Sequence, residues 1–158
     1  MAETNNFQKF ILFLIFIVIT IGVSLIYIEL HNNNSIQRSK FSHEVITYFL
    51  DNKRFNDIAN DIYDKKPIFK SNGGLWEESD IDDYLGYYEN IDDYVQAGSL
   101  NLRDEFNNYS DDVLTAYHNK EIRAYIEQIR AKAHDNDYYV KFEEMAKMFE
   151  EMNKKAMH

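Results

Sequence analysis

The chain has 158 residues, with 27 acidic side chains against 17 Lys and Arg, a net charge of −10, no cysteine, one proline and five glycines. That length is one domain's worth, and so little turn-forming material disfavours a β-sandwich and excludes collagen-like and disulfide-scaffold classes. Without cysteine there is no zinc ribbon, thiol redox centre or cysteine nucleophile. The bulk acidity argues against direct nucleic-acid binding, because phosphates would be repelled.

The mean hydropathy of −0.52 averages over an uneven chain. Residues 10–28 read FILFLIFIVITIGVSLIYI and carry no charge. At 1.5 Å rise per residue this run spans roughly 28 Å, close to the hydrocarbon thickness of a bilayer. Lys9 and Glu29 bracket it, and Tyr27 stands at an interfacial-anchor position. A cleaved signal peptide calls for a basic amino-terminal region, a shorter apolar run and a small-residue cleavage site. Here the residues before Lys9 hold Glu3 and no Lys or Arg, and IELHNNN is a poor cleavage site. Residues 1–30 therefore read as a tail and an uncleaved transmembrane helix, followed by a domain over 31–158. Arg38 and Lys40, then Lys53 and Arg54, outweigh Lys9 and the α-amino group, which Glu3 partly offsets. Positive-inside counting thus predicts a cytoplasmic carboxyl-terminal domain on the cell membrane.

Thr20, Ser24, Tyr27 and His31 fall at i, i+4, i+7 and i+11, a single stripe at helical period. Small and hydroxyl residues in such a stripe pack helices closely or line a polar path in a ring of subunits. Their hydroxyls also have a local alternative, bonding back to their own i−4 carbonyls.

The remainder predicts an all-α bundle of four to six helices. Residues 35–51 place Ile36, Phe41, Val45, Tyr48 and Phe49 on one side, and Phe55, Ile58 and Ile62 continue a short helix that stops before Pro67. Residues 65–76 hold Pro67, Gly73 and Gly74 and read as a loop. Ser79 is an N-cap candidate for a helix carrying Ile81, Tyr84, Leu85, Tyr88, Ile91, Tyr94 and Val95 and ending at Gly98. Asn101 caps a fourth helix with Leu102, Phe106, Tyr109, Val113 and Tyr117. Ile122, Tyr125, Ile126 and Ile129 mark a fifth, and Tyr139, Phe142, Met145, Ala146, Phe149 and Met152 the last. The spacing of the tyrosines predicts rings in the core with hydroxyls reaching the surface.

Most catalytic signatures are missing from the sequence, which has no Gly-rich phosphate loop, nucleophile elbow, HExxH, Glu-x-x-His pair or calcium loop. No cofactor or metal is expected, and the chain does not read as an enzyme. Two basic–histidine pairs are candidates for chemistry. Arg38 and His43 have the Arg-x4-His spacing of a class of helical-bundle ribonucleases, in which histidine moves a proton and arginine holds the phosphate. Arg130 and His134 are a near miss. Arg38 and Lys40 also suit a membrane surface, touching anionic headgroups. From residue 71 to 102 there is no Lys or Arg, while Glu77, Glu78, Asp80, Asp82, Asp83, Glu89, Asp92 and Asp93 are negative. This run is either a docking face for a basic partner or a solvated helix face.

One amino-terminal span, then Tyr48-Phe49-Leu50, Arg54-Phe55, Asp57-Ile58, Ile129-Arg130 and Tyr139-x-x-Phe142-Glu143-x-Met145-Ala146, resembles a bacterial family of short membrane-anchored helical proteins with no assigned activity. The layout is also similar to the small accessory membrane protein of RNA-targeting type VI CRISPR systems. That resemblance implies a membrane homo-oligomer that permeabilises the cell in antiviral defence, alongside a protein partner of the defence system. Arg38 with His43, or Arg130 with His134, would stand for its Arg/His motif. The other reading is a tethered adaptor that recruits a partner through the acidic helix.

Overall fold

The computed structural model describes residues 2–156, with side chains from Gln8 onward, so the Glu3 charge counted in the amino-side flank lies outside the described side chains. The described residues form six helices and no strand: α1 (Ala2–Asp51), α2 (Lys53–Tyr63), α3 (Glu78–Gln96), α4 (Leu102–His118), α5 (Lys120–Ala133) and α6 (Val140–Ala156). The protein is all-α, one long apolar helix followed by a helical bundle. Two compact units divide it, Met1–Lys40 and Phe41–His158. The division falls ten residues beyond the boundary at residue 30, where apolarity ends. The helix read as starting at Ser35 is continuous with the apolar one, since no Gly or Pro occurs between Gly22 and Pro67 to interrupt the backbone ladder.

In the first unit, the apolar side chains of residues 10–19 are exposed, and the most hydropathic window of this helix has none of its residues buried. It is the one helix among the described residues that is long and apolar enough to cross a membrane.

The second unit gathers its helices around one core. Ile58, Ile81, Tyr84, Leu85, Tyr88, Val113, Ile122, Phe142, Met145 and Phe149 are fully buried, and α6 packs against both α3 and α4. Most helix starts follow from local capping. The carboxamide oxygens of Asn52, Asn101 and Asn119 accept backbone N–H bonds at the starts of α2, α4 and α5. The predicted Ser79 cap for α3 is corrected: the N-cap is Glu77, whose N–H donates to Asp80 Oδ2 at 3.0 Å. An acid two residues earlier does the same work, because Asp80 stands three residues on, where a side chain reaches back to the cap. α3 ends as predicted near Gly98, at φ 70°. Ile-Asp-Asp-Tyr occurs twice in α3, at 81–84 and 91–94; Ile81 and Ile91 are both buried, whereas Tyr84 is buried and Tyr94 is exposed.

The loop predicted at 65–76 is present as the connection over residues 64–77. Phe69 and Trp76 make an isolated bridge around a short 3-10 turn at Lys70–Asn72, and the Trp76 indole N–H donates to Asp61 Oδ2 at 3.0 Å. A Cβ on Gly74 would lie 2.3 Å from the Ile68 carbonyl oxygen, so only glycine fits this close backbone approach.

Candidate functional site

The residues nominated from the sequence fall into three groups. In the first unit, Thr20 Oγ1 donates to the Phe16 carbonyl and Ser24 Oγ to the Thr20 carbonyl, each at 2.8 Å. The local alternative is therefore the one adopted within a single chain. All four stripe residues are exposed, and the Tyr27 and His31 rings stack at 6.4 Å between centroids. A hydroxyl bonded to an i−4 carbonyl leaves its oxygen able to accept one further bond, and its small volume still permits close approach of another helix.

The basic–histidine pairs differ in what they offer. Arg38 and Lys40 are exposed in the first unit. His43, in the second unit, is exposed and lines a shallow recess with Thr47, Tyr48 and Asn52. Arg130 is committed: Nε and Nη2 donate to the Tyr138 carbonyl at 2.9 and 2.7 Å, and Nη2 donates to Glu143 Oε2 at 3.1 Å. This guanidinium ties the end of α5 to the start of α6, so Arg130 is not free to hold a phosphate. His134 is the exposed C-cap of α5, in the left-handed region at φ 53°.

Most of the acidic run is engaged by neighbouring side chains. Glu77 pairs with Lys70 at 2.7 Å. Arg54 on α2 bridges Asp80 at 3.0 Å and Asp83 at 2.6 Å. Asp82 Oδ1 accepts from Tyr125 at 2.6 Å and from Tyr139. Glu89 faces the backbone N–H groups of Lys141 and Phe142 at the start of α6, where an anion suits the helix dipole. Asp93 pairs with Lys141 at 2.6 Å, and Asp92 is 2% exposed. Among the described residues, Glu78 is the nominated carboxylate left exposed without a side-chain partner. α3 thus uses most of its negative charge to bind its own neighbours, while Glu77, Glu78, Asp83 and Asp93 stay exposed.

Sequence reasoning missed a buried polar cluster where α1, α3 and α4 meet. Glu105 on α4 is fully buried; its Oε1 accepts from Ser42 Oγ of α1 at 3.2 Å, and Oε2 has no partner. Beside it, Tyr87 Oη on α3 donates to the Val45 carbonyl of α1 at 3.0 Å. That spends the Tyr87 proton, so in the 2.7 Å contact between the two hydroxyls Tyr109 is the donor. These hydroxyls, and the mutually bonded pair of Tyr84 and Tyr88, are sealed inside, contrary to the expectation that tyrosine hydroxyls reach the surface. Burial pushes the Glu105 carboxyl up to about 7 and the Tyr109 hydroxyl up to about 12. The Ser42 bond opposes the Glu105 shift, and the nearby Asp104 charge adds to it. A signal existed: Glu105 stands at i+3 from Leu102 and i−4 from Tyr109, inside the apolar stripe of α4. Asp92 interrupts the stripe of α3 in the same way, between Tyr88 and Val95, and burial raises its carboxyl too.

A family model described as a domain of unknown function (DUF4760) matches residues 14–149. No curated protein and no solved structure matches the chain. The family match takes in most of the apolar helix and nearly all of the bundle, and the chain belongs to the DUF4760 family.

Proposed function

We propose that this protein is a single-span membrane protein that self-associates and, once assembled, permeabilises the membrane as an accessory effector in bacterial antiviral defence. The observation that carries the reading is the exposed apolar surface of residues 10–28 in the first unit. So large a contiguous apolar surface is not stable in water, and a bilayer of matching thickness is its natural solvent. The Thr20–Ser24–Tyr27 stripe supplies a face on which copies of the span would pack. The bundle stands in the cytoplasm on the positive-inside count, with Arg38 and Lys40 available to anionic headgroups at the cell membrane. The defence role rests on the likeness of the layout to the type VI CRISPR accessory protein. An adaptor role through the acidic helix is the weaker reading, because most of those carboxylates are held by Arg54, Lys70, Lys141, Tyr125 and Tyr139.

Crosslinking of the full chain in mild detergent, paired with ion flux from liposomes that contain it, tests the proposal. Oligomers and flux are expected, with both reduced in a Thr20→Leu/Ser24→Leu variant. A monomer that leaves flux at the level of empty liposomes overturns it.

A further inference from the structure

We infer that the Glu105 carboxyl is a proton-operated latch holding residues 41–51 of α1 against α3 and α4. The geometry is that of a buried acid with one hydrogen-bond donor and no counter-charge. Ser42 of α1 donates to Oε1, Oε2 has no partner, and no Lys, Arg or His pairs with this carboxyl among the described residues. The titratable groups that face it are Tyr87 from α3 and Tyr109 and Asp104 from α4, none of which supplies a positive charge at neutral pH. α1 contributes the Ser42 hydroxyl, while its charged residues nearby, His43 and Glu44, are exposed.

A protonated carboxyl is tolerated in such a place. An ionised one must gain water, because a single hydroxyl donor does not replace its hydration. The part that yields is the one nearest solvent, the half-buried start of the stretch at Phe41 and Ser42. α3 buries seven side chains, Ile81, Tyr84, Leu85, Tyr87, Tyr88, Ile91 and Asp92. In residues 41–51 of α1, Phe49 is the one buried side chain, and Phe41, Val45 and Ile46 are half-buried. The far end of that stretch is anchored by the Phe49 ring, which packs on Phe55, Tyr84, Tyr87, Tyr88 and Tyr109, and by Tyr48 stacked on Tyr87 at 6.0 Å. Its near end has the Tyr87 bond to the Val45 carbonyl and the edge-on contact of Phe41 with Tyr94 at 4.9 Å. Separation of Ser42 from Glu105 is therefore the shortest route by which water reaches the charge. Burial places the proton loss near pH 7, within the range a cell traverses.

Hydrogen exchange of the full chain in detergent micelles tests this, with amide rates corrected for the intrinsic effect of pH. Protection of the amides of residues 45–50 is expected to fall at least tenfold between pH 6 and pH 8.5, while the α3 amides stay protected. Glu105→Gln, which keeps the size and an acceptor for Ser42, is expected to hold the protection of residues 45–50 constant across that range. Constant protection in the parent chain, an equal loss in Glu105→Gln, or a loss spread evenly over all helices overturns the latch.

Discussion

The Tyr125 hydroxyl of α5 donates to Asp82 Oδ1 of α3 at 2.6 Å across 43 residues of sequence. The hydroxyl of Tyr139, just before α6, reaches the same oxygen. One carboxylate thus joins three parts of the bundle, and both phenols are raised well above their ordinary value by burial and by that charge. Asp82→Ala leaves the largely buried Tyr139 hydroxyl without its acceptor and Tyr125 with the Glu78 carbonyl alone, at 3.3 Å. It is expected to destabilise the chain by about 2 kcal/mol, against about 1 kcal/mol for Tyr125→Phe. Thermal unfolding in detergent followed by circular dichroism measures both. Equal losses in the two variants would mean that the shared acceptor has no special weight.

Glu105 makes stability depend on pH in a defined direction. Its carboxyl titrates near 7 in the folded chain, against an ordinary value of 4.5. Between those values the folded chain retains a proton that the unfolded chain has released. Its contribution is therefore fully present below pH 4.5, declines as pH rises, and is lost above 7, a change of about 3 kcal/mol. Asp92 and Asp112, also raised by burial, act in the same direction. Glu105→Gln is expected to be more stable than the parent at pH 8 and to lose that advantage at pH 4.5. Urea unfolding at the two pH values reads the difference directly.

Two glycines separate packing from propensity. At Gly74 a Cβ would lie 2.3 Å from the Ile68 carbonyl oxygen and 2.4 Å from that of Pro67, whereas at Gly86 in α3 it meets nothing within 4 Å. Gly74→Ala is expected to cost about 2 kcal/mol or more, since backbone must move. Gly86→Ala is expected to stabilise by about 0.5–1 kcal/mol through helix propensity. Opposite shifts in melting temperature are the expected result.

Arg130 and His134 separate in the same way. Arg130→Ala removes the bonds to the Tyr138 carbonyl and Glu143 and is expected to cost about 2 kcal/mol. His134→Gly relieves a left-handed residue at the end of α5 and is expected to stabilise by up to about 1 kcal/mol. If the two formed a phosphate-binding pair, both substitutions would lower activity on RNA. With Arg130 tied to the loop before α6, neither is expected to change hydrolysis of a labelled oligoribonucleotide.

What the sequence determined by itself is local in physical origin. Nineteen uncharged residues at 10–28 declare the candidate span, because bilayer thickness and helix rise are fixed lengths. Leu102, Phe106, Tyr109 and Val113 declare the inner face of α4, and Asn101 its start, because periodicity and capping act within a few residues. Tertiary structure decided what local rules do not reach. Asp83 and Glu78 look alike in the acidic run, yet Asp83 meets Arg54 from 29 residues away while Glu78 faces solvent. Glu105 differs from Asp104 by one position, and one residue is 100° of helix, enough to move a carboxylate from the exposed side into contact with Ser42. Most carboxylates of residues 77–93 are thus engaged by neighbouring side chains, and only the docking of helices distant in sequence determines which of them those are.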